Sequence, residues 1–199
     1  MPETFLSLAL FAFVATVTPG GATTLATASG VRFGFRRSIP LLGGIAVGLA
    51  GLAGASAVGL AALLQAAPAL QSAMKAMGTA YLLWLAWKIA SSGPPPAGSN
   101  DAAAPTSFWG GVLLLWLNPK AWAMALGAAT SFAAVASDPT WRAIVLALTF
   151  GVAAAISLTA WCTGGLMLAR ALRTPGQWRA VNVVLGVLLV VSIVPMWVV

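Results

Sequence analysis

The sequence predicts an all-α membrane protein of six transmembrane helices, built as two inverted three-helix repeats in which helices 1 and 4 are broken. The first observation is composition: the 199 residues are 60% hydrophobic and 7% charged, whereas soluble domains carry about 25% charged residues. The second is a series of six apolar stretches, each near the roughly 20 residues that a spanning helix needs. The third is a break rich in proline and glycine near the middle of the first and the fourth stretch. Matching breaks in the two halves of a chain are typical of transporters made of inverted repeats.

Helices fit the apolar stretches better than strands do. Strands of a membrane barrel would alternate apolar and polar residues over about ten positions, and runs such as 42–64 do not alternate. We predict spans at roughly 4–28, 39–64, 69–90, 108–134, 142–169 and 179–198.

The polar stretch 91–107 divides these spans into two groups of three. It contains Gly93-Pro94-Pro95-Pro96, a composition typical of a linker that is partly extended through its prolines. We therefore predict one transmembrane domain over 1–199, with a first repeat at about 1–90, a cytoplasmic linker at 91–107 and a second repeat at about 108–199. Because each half has an odd number of spans, the two halves enter the membrane from opposite sides.

Positive charges in the loops predict the orientation. Seven fall on one side, namely Arg32, Arg36, Arg37, Lys88, Arg170, Arg173 and Arg179. The other side carries Lys75 and Arg142. The positive-inside rule assigns the seven to the cytoplasm, so both termini are predicted to lie outside it. This role accounts for the net charge of +7 without a nucleic-acid partner; contact with a substrate is the alternative for the arginine cluster.

The first break is a candidate binding wall. It consists of Pro19, Gly20 and Gly21, followed by Thr23. Proline removes a backbone donor, and the glycines allow the backbone to approach a ligand closely. A half-helix that begins here would present free N–H groups in the bilayer, where they bind anions. A packing kink without a ligand, with the threonine hydroxyls bonded to their own helix, is the alternative.

The second break carries a charge. Asn118, Pro119 and Lys120 lie about ten positions after Phe108, roughly 15 Å into the predicted span at 1.5 Å per residue. A lysine near mid-membrane costs at least about 2.5–3.5 kcal/mol and marks a functional site by default. The spans contain no acidic residue to neutralise it. We favour a binding role for Lys120 over snorkelling to the interface.

Two further features have a plainer interpretation. Tyr81 shares a helical face with Trp84 and Lys88, as in an interfacial aromatic belt, but it lies higher in its span and is a further candidate for the pathway. Gly44 and Gly48 form a small-xxx-small pair. Such a pair lets helix 2 pack closely on a neighbouring helix, or marks the face of a homodimer.

Missing residue types exclude several functions. The chain has no His and a single Cys, so it lacks the several ligands of a metal site and the pair of thiols of a redox carrier. General acid–base enzymes use His, Asp or Glu, and the spans have none. The Gly-x-x-x-x-Gly-Lys-Ser/Thr loop of nucleotide-binding proteins is missing as well. We predict no enzyme activity, no metal and no cofactor.

Three segments resemble motifs of the lysine-exporter (LysE/RhtB) family. The stretch 28–40 is similar to that family's loop after the first helix, 78–88 to its third helix, and 118–122 to its fourth-helix motif. The resemblance runs from about residue 15 to residue 130. It implies six helices, an inner-membrane location and export of amino acids or their derivatives.

These observations predict a secondary transporter that exports small amino acids or their derivatives across the cytoplasmic membrane. The substrate carboxylate would meet Lys120 and the N–H groups after Pro19, and its ammonium would meet carbonyls freed before the breaks. The expected partners are an amino-acid-like solute, membrane lipid and a possible second copy of the chain. The alternative is a non-transporting membrane scaffold or partner protein of the same fold that has lost the substrate site.

Overall fold

The computed structural model describes residues 2–59, 66–93, 105–194 and 197. In these ranges all regular structure is helical, which confirms the all-α class. The α-helices are α1 Pro2–Val17, α2 Gly21–Ala57, α3 Pro68–Ala90, α4 Phe108–Trp116, α5 Pro119–Ser131, α6 Pro139–Ala171 and α7 Pro175–Val191, with a 3₁₀ turn at Ala133–Val135. Most of the predicted linker at 91–107 lies outside the described residues.

Short polar side chains begin four of these helices. Ser107, Asn118, Asp138 and Thr174 each accept a hydrogen bond from a backbone N–H in the first turn of α4, α5, α6 and α7. Caps of this kind typically stabilise a helix by about 1 kcal/mol. The breaks before α5 and α7 are therefore encoded locally, by a cap followed by proline at the start of the helix.

Helix α2 is a hairpin of two helical arms rather than one straight rod. Gly34 interrupts it with φ 72° and ψ 175°, a backbone conformation that favours glycine. The hydroxyls of Ser29 and Ser38 lie 2.7 Å apart and are buried, whereas nine residues of straight helix would separate them by about 13 Å. The chain therefore reverses at Gly34. The loop that we predicted after span 1 is therefore wrong. The chain is helical on both sides, and only Gly34 departs from helical geometry.

Two helices, α2 and α6, are long and apolar enough to cross a membrane by length and composition. A third span follows if α4 and α5, which are bent by 68°, are taken as one. Helices α1 and α7 are apolar but shorter. The structure thus supports a helical membrane protein, while six spans and an inverted repeat remain predictions.

Close backbone contacts hold the central helices together. A side chain on Gly30 would overlap the backbone of Cys162 in α6, and one on Gly44 would overlap the backbone of Phe108 in α4. Gly48 lies against Val112, also in α4. Gly44 and Gly48 therefore serve helix packing within the chain, the first of the two roles predicted for them. The homodimer stays a prediction without their support.

Two adjacent glycines of α6 provide a matched test of this packing. A Cβ on Gly165 would overlap the carbonyl oxygen of Thr27, whereas one on Gly164 would meet nothing within 4 Å. We expect Gly165→Ala to destabilise the protein by roughly 1–3 kcal/mol through overpacking. Gly164→Ala should be neutral or stabilising by up to about 1 kcal/mol, because alanine is the better helix former. Thermal unfolding of both variants in the same detergent measures the difference, and equal unfolding temperatures would contradict the packing of α6 on the first arm of α2.

Candidate substrate site between the two helix breaks

The first break separates α1 from α2 by three residues, Thr18 to Gly20. Gly20 is extended and precedes α2, and no side chain caps this helix. The Gly20 N–H instead donates to the hydroxyl of Thr23 at 2.8 Å, and that hydroxyl lies 2.9 Å from the Gly20 carbonyl, to which it donates. The first-turn N–H groups of α2 consequently have no side-chain acceptor, which leaves donors at the break.

The break also frees backbone carbonyls at the end of α1, and side chains of α6 donate hydrogen bonds to them. The Ser157 hydroxyl donates to the carbonyl of Thr16 at 2.8 Å, and the Trp161 indole N–H donates to the carbonyl of Val17 at 3.2 Å. Backbone carbonyls left without partners in hydrocarbon would cost several kcal/mol each. Two side chains of α6, a helix distant in sequence, thus satisfy the carbonyls that the end of α1 leaves free.

The second break is built in the same way. The chain turns at Leu117 and Asn118 between α4 and α5. The Asn118 side chain accepts from the backbone N–H of Lys120 at 3.0 Å, and the Trp122 indole donates to the carbonyl of Trp116 at 2.8 Å. A side-chain cap and an indole donor therefore satisfy the groups that this break frees.

Both breaks line one cavity of about 500 Å³, which we call the central cavity. Five predicted site residues line it: Gly20, Gly21, Thr23, Asn118 and Lys120. A Cβ added to Gly20 would lie 3.4 Å from Lys120 Nζ, so the ammonium group of one break lies directly against the backbone of the other. The breaks are 100 residues apart by number, and the fold brings them together.

Two of the other three predicted residues do not line the central cavity. Pro19 is exposed beside it and is not among the residues that line it. Tyr81 is not among them either; its hydroxyl donates to the Gly110 carbonyl at 3.4 Å and its ring stacks on Trp84. Pro119 begins α5, and its side chain lies outside the described residues.

Sequence reasoning missed the apolar walls of the central cavity. Ile45 and Leu49 come from the second arm of α2, Leu115 from α4, and Ala154 and Leu158 from α6. No local signal marks these residues, because they become neighbours of the breaks only through the hairpin at Gly34 and the packing of α6. Together they make most of the cavity surface apolar.

Lys120 is the charged side chain among the described residues that line the central cavity. Lys120 is half-buried there, and no Asp or Glu is among the described residues that line the cavity. The hydroxyls of Thr16 and Thr18 donate to the carbonyls of Ala12 and Val14 in their own helix, so their oxygens remain as acceptors. A cation, backbone donors and hydroxyl acceptors in an apolar shell suit a small anion or zwitterion.

Comparison with known proteins agrees with this chemistry. A family model described as LysE type translocator matches residues 13–193. A cysteine/O-acetylserine efflux protein of Salmonella choleraesuis (strain SC-B67) is 29% identical over 180 residues, covering 90% of each chain. Its counterpart in Escherichia coli (strain K12) is 28% identical over 180 residues, again covering 90% of each chain.

No solved structure gives a significant match to the chain. The family match spans both helix breaks and nearly all described helices, and it confirms the resemblance found in the sequence motifs. This chain therefore belongs to the LysE type translocator family.

Proposed function

We propose that this protein is a secondary exporter of small, uncharged-side-chain amino acids or their derivatives, with the central cavity as the substrate site. The observation that carries the proposal is the position of Lys120 Nζ, 3.4 Å from the place that a Cβ on Gly20 would occupy, in a cavity that both breaks line. Membership of a translocator family and relatives that are efflux proteins for cysteine and O-acetylserine support it. No observation favours a non-transporting scaffold.

The substrate carboxylate is placed against Lys120 and the uncapped N terminus of α2. Helix N-termini bind anions through their free donors and dipole, and an ammonium adds a charge-assisted hydrogen bond. Discontinuous helices in transporters commonly present half-helix N-termini to a substrate carboxylate. The two donors come from different breaks, so a bound carboxylate would bridge the two halves of the chain.

The substrate ammonium has a different partner from the one that the sequence predicts. The carbonyls of Thr16, Val17 and Trp116, freed by the breaks, already accept hydrogen bonds from Ser157, Trp161 and Trp122. We therefore assign the ammonium to the hydroxyl oxygens of Thr16 and Thr18, which line the cavity and act only as donors in their own helix. The apolar walls then face the substrate side chain, which favours one that is small and uncharged.

The two-repeat architecture is part of the proposal. Helix α1 packs on α6 as α4 packs on α2, α2 pairs with α6, and α3 pairs with α7. Exchanging the two halves of the chain turns the α1–α6 pairing into the α4–α2 pairing and leaves the α2–α6 and α3–α7 pairings unchanged, as expected for repeats related by a pseudo-two-fold axis. The hairpin at Gly34 supplies the third pass of the first half, which supports six spans with α1 and the first arm of α2 forming one broken span.

The orientation follows from where the structure gathers the loop charges. Ala28 and Val31, near the Gly34 turn, pack with Ala169 and Trp178, so the arginines of the turn lie at the same end of the bundle as the α6–α7 loop. We propose that this end is cytoplasmic. A reporter enzyme that works only in the periplasm, fused after Val199, should be active, and a truncated fusion at Thr174 should be inactive. The reverse pattern would contradict the orientation.

Counterflow in vesicles tests the proposed function without needing to know the energy source. Purified protein is reconstituted in vesicles loaded with unlabelled O-acetylserine, and uptake of a labelled trace is followed. We expect saturable exchange well above that of protein-free vesicles. Exchange indistinguishable from protein-free vesicles, with protein shown to be folded and inserted, would favour the non-transporting alternative.

A further inference from the structure

A second cavity lies at the end of the bundle that carries the arginine turn. It has a volume of about 520 Å³ and is lined by both arms of α2 together with α3, α7 and the segment before α4. We call it the basic cavity, because Arg32 and Lys88 line it and, among the residues that the structure describes, no Asp or Glu does. Its remaining polar lining is neutral and includes Ser29 and Ser92.

The two cations of the basic cavity are held by aromatic side chains rather than by carboxylates. The Arg32 guanidinium lies 5.7 Å from the centre of the Phe33 ring, and Lys88 Nζ lies 5.0 Å from the centre of the Trp84 ring. Cation–π contacts orient a cation without neutralising it. The cavity therefore keeps two positive charges that come from different helices and converge on one space.

The basic cavity and the central cavity are stacked along the same hairpin. On the first arm of α2, Thr23 lines the central cavity and Leu25 lines the basic one; on the second arm, Ile45 and Leu41 do so respectively. Four residues of helix span about 6 Å, so the two spaces are separated by about one turn. Leu25 and Leu41 are 3% and 0% exposed, so the residues between the two spaces on these arms are apolar and buried.

We propose that the basic cavity is a second binding site, a loading vestibule in which Arg32 and Lys88 take the carboxylate of an amino acid before it passes Leu25 and Leu41 to Lys120. This inference rests on the proposed function. It assigns Arg32 and Lys88 a role beyond topology, because a topological role requires only that the charges lie in the loop.

Thiol chemistry tests the vestibule independently of transport. Cys162 is the one cysteine of the chain and is buried, so Cys162→Ala gives a background in which Ser92→Cys places one thiol in the basic cavity. We expect a sulfonate-bearing thiosulfonate to react with it about tenfold faster than an ammonium-bearing one. Arg32→Gln should remove most of that preference, because one of the two attracting charges is gone.

The matched control is Arg36→Gln. Arg36 lies on the same turn and is exposed, and it does not line the basic cavity. Both variants lose one loop charge, so an effect on topology or on net charge would be the same in each. Retention of the preference in Arg36→Gln together with its loss in Arg32→Gln supports the vestibule, whereas equal effects in the two variants would overturn it.

Protection experiments identify the ligand chemistry. Serine should slow labelling of Ser92→Cys, and ethanolamine, which has the same amine and hydroxyl but no carboxylate, should not. The measurement is made in vesicles of zwitterionic lipid and repeated with anionic lipid added. Protection by anionic lipid in the absence of serine, with none by serine itself, would assign the cavity to a lipid headgroup and overturn the proposal.

Transport separates failure of this inference from failure of the proposed function. In the counterflow assay, the half-saturating serine concentration should be about tenfold higher for Arg32→Gln than for the wild type. This is a loss of about 1.4 kcal/mol in binding, with little change in maximal exchange. An unchanged half-saturating serine concentration in Arg32→Gln would contradict the vestibule but not the proposed exporter function. Absence of exchange by the wild type would contradict the exporter function, and with it the vestibule, which rests on that function.

Discussion

Lys120→Ala is expected to abolish export while the protein still inserts and folds. The Nζ atom lies 3.4 Å from the place that a Cβ on Gly20 would occupy, in a cavity whose described lining contains no acidic residue. A lysine near mid-membrane costs at least about 2.5–3.5 kcal/mol, so its removal should help insertion rather than harm it. Loss of a hydrogen bond to a charged carboxylate costs about 1.5–3 kcal/mol, or roughly ten- to a hundredfold in affinity, and loss of the contact between the two breaks adds to this.

The variants around Lys120 separate charge from shape. Lys120→Arg should also export poorly, because the fork of a guanidinium does not replace a compact ammonium. Lys75→Ala is the control, since Lys75 lies in α3 and does not line the central cavity; it should exchange substrate at the wild-type rate. Wild-type exchange by Lys120→Ala would show that this lysine only snorkels, and would sink the assignment of the site.

Most of the helical pattern could be predicted from the sequence because its signals are local. Proline with glycine before α2, and Asn118 with proline before α5, mark the breaks within a few residues. The reversal at Gly34 is different. It is made by one glycine with a positive φ, flanked by Phe33 and Phe35, and a lone glycine between aromatic residues carries no strong turn signal. The sequence therefore predicted a loop where the chain turns within a single residue.

The candidate site was half predictable for the same reason. Lys120 stands out by its charge within an apolar span, and Gly20 by its place in a Pro-Gly-Gly break. Ile45 and Leu158 do not, because a buried aliphatic residue looks the same whether it faces lipid, a helix or a substrate. The hydrogen bond from Ser157 to the Thr16 carbonyl joins residues 141 positions apart, and no spacing rule predicts a contact of that range. That contact also changed the assignment of the substrate ammonium, from freed carbonyls to threonine hydroxyls.

Neutral amino acids are expected to bind far better than lysine or arginine, although the family carries the name of lysine. An amino acid brings one carboxylate for Lys120 and one ammonium for the threonine hydroxyls. A lysine side chain would add a second cation to a cavity that already holds one and whose described lining has no Asp or Glu. An unpaired charge in a low-dielectric site costs several kcal/mol, which corresponds to a factor of about a thousand in affinity.

Competition in the counterflow assay measures this selectivity directly. Serine and O-acetylserine should compete with the labelled substrate, and lysine and arginine should compete about a thousandfold more weakly. Norleucine is the control for size, because it has nearly the length of lysine without its charge. If norleucine and lysine are equally poor, the size of the cavity decides the selectivity. If lysine or arginine competes better than every neutral amino acid, the missing carboxylate does not matter and the charge argument fails. If norleucine competes clearly better than lysine, charge is the cause of the selectivity, because the two side chains differ in little else.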